Sequence, residues 1–174
     1  MAAGIRRHLG VVQATGEHVF ATPIDERYFE DYIPGSTYVF GAATVNETQI
    51  VEFAKEYDPQ LFHIDPVAAA DGPFGGLIAS GWQTAALMMR LFSQHYLSSV
   101  ASLGSPGVDE LRWLRPVRPG DVLALRVTVL EARASISKPD RGLVGTLAEL
   151  LDPAGEPVFR ATLLNFLLRR TPGR

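Results

Sequence analysis

Asp58 and His63 stand five residues apart, with Pro59, Gln60, Leu61 and Phe62 between them. A carboxylate and an imidazole that share one space can exchange protons with a water molecule, one group taking a proton while the other orients or returns one. That is chemistry for adding or removing water. A plainer reading has Asp58 capping the end of a helix and His63 as a satisfied interior histidine. For an arbitrary Asp-x4-His the plainer reading carries more weight. His63-Ile64-Asp65 also resembles part of a metal site. No cysteine and no further His, Asp or Glu cluster stands beside it, however, and Asp65 before Pro66 is better used as a helix cap, so no metal is expected.

A second group follows at Phe74-Gly75-Gly76-Leu77-Ile78-Ala79-Ser80-Gly81. The start of a helix exposes backbone N–H groups at the positive end of its dipole, and glycine lets a ligand oxygen approach closely. Gly81 can therefore hold an oxyanion. Equally, Gly75-Gly76 can be a tight turn and Ser80 an N-cap, and these readings are compatible. Ser80 as a hydrolase nucleophile lacks the first glycine of G-x-S-x-G, and no Gly-Lys-Ser/Thr is present to make a phosphate loop. Arg112, Arg115, Arg118 and Arg126 could receive phosphates or be solvated strand charge. Trp113 could belong to the core or wall an acyl pocket.

These residues need elements to position them. Asn46 and Gln49 have the spacing of a capping box, and Ile50, Phe53, Ala54 and Tyr57 fall on one face of a helix that Pro59 must stop. Asp58 is thus expected at a helix exit, with a loop carrying on to His63. Asp65-Pro66 starts a short helix that ends at Asp71-Gly72-Pro73. From 81 to about 97 the chain is apolar nearly all round, interrupted by Arg90, Gln94 and His95. A membrane span would have to bury that arginine and histidine, so the expectation is a helix enclosed by a sheet. Strand-like runs at 107–115, 122–133, 142–151 and 157–168, separated by Pro/Gly/Asp turns, supply the sheet. A shorter strand, Thr37 to Phe40, is expected to end near Gly41. Helices followed by antiparallel strands make an α+β order.

The chain has 174 residues, enough for one domain with a full core. We read an N-terminal arm or edge strand over 1–22 and a single domain over 23–170. With 47% hydrophobic and 20% charged residues, a packed globular interior is expected. A net charge of −3 with scattered arginines gives no field for a nucleic acid. The absence of cysteine and of an apolar run after Arg6-Arg7 suits a cytoplasmic protein without a signal peptide.

The combined pattern resembles the MaoC-like dehydratases, which include the (R)-specific enoyl-CoA hydratases. Phe53-Ala54, Asp58, His63, Asp65-Pro66, Phe74-Gly75, Ile78-Ala79 and Gly81 stand in that family's register, and 112–121 is similar to the strand and turn after its central helix. The resemblance implies a hot dog fold, an antiparallel sheet wrapped around a long helix (about 81–97), in a homodimer or dimer of dimers. It implies a hydro-lyase acting on an acyl-CoA: Asp58 and His63 activate water, and the Gly81 N–H binds the thioester oxygen. Gln60, Phe62, Ser80 and Trp113 would contact substrate, and no cofactor is called for. The chain departs from the family pattern at Glu56-Tyr57, Gln60, Phe62 and Ser80. Tyr57, Phe62 and Trp82 are thereby expected to shape the acyl pocket. A hot dog thioesterase and a non-catalytic acyl-CoA binding subunit are the alternatives.

Overall fold

Four long strands and one long helix account for most of the core. In a computed structural model of the chain, which describes residues 19–171, the order of elements is β1 (Thr37–Thr44), α1 (Glu47–Tyr57), α2 (Leu61–Ile64), α3 (Pro66–Ala70), α4 (Gly81–Leu91), β2 (Gly107–Trp113), β3 (Val122–Ala134), β4 (Arg141–Leu151) and β5 (Pro157–Leu168). The arm or edge strand expected over 1–22 lies, as far as residue 18, outside the described residues. Residues 19–22 are not strand, and Phe20 stacks on Tyr38 with ring centroids 4.0 Å apart.

The strands form one antiparallel sheet in the order β1-β3-β4-β5-β2. Period-two alternation puts Leu123, Leu125, Val127 and Val129 of β3 on one face, with Phe159, Ala161, Leu163 and Leu167 of β5. Met88 and Leu91 of α4, with Phe92 and Tyr96 beyond it, are buried in the same core. Fully burying one such side chain contributes roughly 1.5–3 kcal/mol, so this face of the helix holds it on the sheet. This is the hot dog arrangement, with strand boundaries close to those read from the turns.

Four expectations need correction. The helix over 81–97 is regular only to Leu91. Phe92–Tyr96 is wound more loosely, with the Leu97 N–H on the Phe92 carbonyl at 2.9 Å. Nor is α4 enclosed within the single chain, because a sheet curved to one side covers one face. Trp82 remains 60% exposed and Met89 39%. Tyr57, placed on the core face of α1 by its spacing, is 64% exposed and pairs instead with the ring of Phe53. Finally, β1 runs through Gly41 as a bulge, Phe40 pairing with Leu125 and Ala42 with Ala124. Gly41 has φ +36, a conformation that a side chain disfavours, and the extra residue keeps Tyr38 and Ala43 on the same buried face.

Among the described residues no helix is long and apolar enough to cross a membrane.

Candidate active site

Asp58 ends α1: its N–H closes the last turn on the Ala54 carbonyl at 2.8 Å, and Pro59 prevents another. The Gln60 N–H then returns to the Asp58 carbonyl at 2.8 Å, turning the chain around the proline. The next four residues form one helical turn, α2, rather than the expected loop, and His63 sits on it with only 4% exposure. Asp65 caps α3 through the Val67 and Ala68 N–H groups (2.9 and 3.1 Å). Its carboxylate is thus committed as a cap. Among the described residues no three His, Asp or Glu side chains gather to hold a metal ion.

The segment 77–80 is laced against α2. The Ile78 N–H donates to the Phe62 carbonyl (3.1 Å), and the Ile78 carbonyl lies 2.8 Å from His63 Nδ1. A carbonyl can only accept, so the proton of a neutral His63 belongs on Nδ1 and Nε2 is left as an acceptor. Nε2 stands 3.3 Å from Asp58 Oδ2. Two acceptors at that distance need a proton between them, carried by an imidazolium or by a water that donates to both. The pair is a water-holding geometry.

Asp58 is held as a carboxylate. Ser80 Oγ donates to Oδ2 at 2.7 Å and Gln60 Nε2 to Oδ1 at 2.8 Å. Together, with the Ser80 bond the larger cause, Gln60 next and His63 adding to them, these hold its pKa below the ordinary carboxylate value against the opposing effect of burial. Ser80 itself is fully buried and is not among the residues that line the cavity beside Asp58 and His63. It also N-caps α4, accepting from the Trp82 N–H at 3.2 Å. Its one hydroxyl proton is given to Asp58, which leaves it unsuited as a nucleophile and ties the carboxylate to the start of the central helix.

Gly81 is the first residue of α4, and its N–H has no acceptor among the described residues, as expected for an opening turn. Trp113 lies directly on it, with the indole Nε1 donating to the Gly81 carbonyl at 2.7 Å. A Cβ at Gly81 would come within 2.6 Å of the indole, so only glycine fits. Trp113 reaches this side of the sheet through a bulge in β2. Val108 pairs with Leu163 and Trp113 with Phe159, both on the core face, although the two β2 residues are an odd five positions apart. Glu110, at φ +49, absorbs the extra residue. Nothing in the residue types around Glu110 marks this bulge.

These groups face a cavity of about 430 Å³ lined by Asp58, Gln60, Phe62, His63, Gly81 and Trp113, with Phe74, Ile78, Trp82, Thr84, Arg115 and Val117 among the rest of its mostly apolar wall. Phe62 and Trp82 are thus cavity residues as expected, whereas Tyr57 lines a neighbouring groove on the other side of Thr84. Phe74, Ile78 and Thr84 were missed. Phe74 and Ile78 had left a trace by standing in the family's register, whereas Thr84, whose hydroxyl bonds to the Ser80 carbonyl at 3.2 Å, had only its spacing of four from Ser80. Of the arginines, Arg115 pairs with Asp152 and Arg126 with Glu149, each at 2.8 Å. Arg118 donates to the Phe74 carbonyl at 2.6 Å, and Arg112 to the Leu111 carbonyl at 3.2 Å.

Comparison with known proteins agrees with this construction. Residues 31–148 match the family described as MaoC like domain, and the chain belongs to that family. It is 39% identical to the MaoC-like dehydratase from Rhodospirillum rubrum, whose structure superposes with a TM-score of 0.77 over 83% of this chain and 99% of that one. It is 30% identical to the protein YdeM of Bacillus subtilis over 122 residues, 70% of this chain and 83% of YdeM. It is also 38% identical to the 3-hydroxyacyl-thioester dehydratase Z of Mycobacterium tuberculosis over 79 residues, 44% of this chain and 52% of that protein.

Proposed function

We propose that this protein reversibly hydrates a trans-2-enoyl-CoA to the (R)-3-hydroxyacyl-CoA. The observation that carries the reading is the pair of acceptor atoms, Asp58 Oδ2 and His63 Nε2, 3.3 Å apart on the wall of a cavity that Gly81 also lines. A water donating to both acceptors has its lone pairs turned outward, toward the β-carbon of an enoyl group. As the water oxygen bonds to that carbon, the pair takes up a water proton and the π electrons move to the α-carbon and thioester oxygen. The Gly81 N–H meets the developing negative charge; one such preorganised donor is worth about 3–4 kcal/mol in other enzymes. The proton then returns to the α-carbon on the same face. Every proton is supplied by water and by these two side chains, so the reaction needs no metal or organic cofactor.

A second copy of the chain is the proposed partner. β2 is an edge strand whose Val108 and Trp113 are 47% and 46% exposed, beside the uncovered Trp82 and Met89 of α4. An unpaired edge with apolar neighbours is what a symmetric dimer would cover. Dehydration of a 3-hydroxyacyl-thioester is the activity in the name of the mycobacterial relative, and it is the reverse of this reaction.

The test is to supply crotonyl-CoA and longer or branched enoyl-CoAs while following the absorbance of the conjugated thioester, and to assay free thiol in parallel. Loss of conjugation without thiol release is expected, abolished in Asp58→Asn and His63→Ala. Thiol release from saturated acyl-CoA would instead mark a thioesterase. Acyl-CoA binding with no turnover, unchanged in both variants, would mark a non-catalytic subunit.

A further inference from the structure

The groove beyond Thr84 differs in kind from the cavity that holds Asp58 and His63. It encloses about 400 Å³ between α1 and α4, and its walls include Gln49, Glu52, Glu56, Gln83 and Arg90. Thr84 lines both spaces, and Tyr57 of the groove precedes Asp58 directly, so the two spaces adjoin. Gln83 is one of these lining residues, and its side-chain oxygen is buried and bonds to no described group. Buried polar atoms are ordinarily paired, because leaving one unpaired forfeits its hydration without return. Arg90, two turns along the same face, makes no ion pair among the described residues.

We propose that this groove takes the far end of the acyl group and that this end carries a neutral hydroxyl, bound by Gln83; the proposal rests on the hydratase reading of Asp58 and His63. An alkyl terminus would leave the buried Gln83 oxygen unpaired. A carboxylate would meet Arg90 but also two carboxylates, Glu52 and Glu56, so that the groove's own charge opposes an anion. A hydroxyl both donates and accepts, and therefore satisfies the Gln83 amide whichever way its oxygen and nitrogen are turned.

The experiment compares short and medium trans-2-enoyl-CoAs in matched sets ending in methyl, hydroxyl or carboxyl, with wild type and Gln83→Leu. At the best chain length wild type is expected to favour hydroxyl over methyl by about tenfold in kcat/KM, the scale of one hydrogen-bonded contact. Gln83→Leu should reverse that order. Equal or better use of the methyl series by wild type, or a preference for carboxyl, overturns the inference and leaves the hydratase reading standing. Failure to hydrate any member of the sets removes both, and the wild-type comparison decides the matter even if the variant folds poorly.

Discussion

The central helix carries a polar cluster at each end, and the two are built to opposite ends. Beyond the C-terminal end, Tyr96 shares a hydrogen bond with Thr146 (2.8 Å), and Tyr32 donates to the Tyr96 carbonyl (3.0 Å) while accepting from the Ser98 N–H (2.8 Å). Arg27 donates to the His95 and Tyr96 carbonyls (3.0 and 2.9 Å). Burial pushes the Tyr32 hydroxyl up to about 12 and raises Tyr96 as well. At the N-terminal end Asp58 is shifted down, mainly by the Ser80 bond, and both Asp58 Oδ2 and His63 Nε2 still have accepting capacity beside a cavity. Perturbed titration therefore does not separate the two clusters. Spare valence next to open space does, because a group whose bonds are all met inside the core has nothing left to offer a ligand.

The contrast is sharpest in Asp58→Asn, which keeps the size of the side chain but removes the charge that accepts from water. Hydratase kcat/KM is expected to fall about 10³-fold, within the range for loss of a general base. Gly81→Ala should cost about 10²-fold in kcat/KM, since the new Cβ must push the Trp113 indole off the helix start and shift the N–H with it. Tyr96→Phe should do the reverse. It strands the buried Thr146 hydroxyl and should lower the urea-derived stability by about 1–3 kcal/mol while leaving kcat/KM as in wild type. A larger activity loss in Tyr96→Phe than in Gly81→Ala would break the comparison.

The smallest effect is a pH dependence. The folded pKa of Asp58 lies below its ordinary 3.8, so its interactions add stability above that value and lose it as pH falls through the depressed one. The stability gap between wild type and Asp58→Asn is therefore expected to narrow as urea titrations move from neutral pH to below 3.8. A gap that widened on acidification would mean that Asp58 is not held as a carboxylate by Ser80 and Gln60.

Much of this site is local and was legible. Pro59 decides where α1 stops, Asp65-Pro66 where α3 starts, and Ser80-Gly81 where α4 starts, so Asp58 and Gly81 could be placed on their elements from short-range chemistry, whereas His63, expected on a loop, sits on the single turn of α2. The long strands were legible for the same reason: proline and glycine turns bound runs of alternating Val and Leu. Tyr57, expected at the acyl pocket, lines the neighbouring groove instead, because helical periodicity names a face without saying what packs on it. The bulges at Gly41 and Glu110 were invisible because an extra residue changes the parity of a strand only relative to its neighbour.

What the sequence determined by itself is the set of candidate reacting groups and most of the elements that carry them, since caps, stops and alternation act within a few residues. What only the tertiary structure decided is how those groups meet. Ser80 turns out to be a buried strut for Asp58, the Ile78 carbonyl fixes which nitrogen of His63 faces the cavity, and the β2 bulge brings Trp113 onto Gly81. Each of these contacts joins residues at least fifteen positions apart, and it is the packing of α4 on the sheet that brings the segments together.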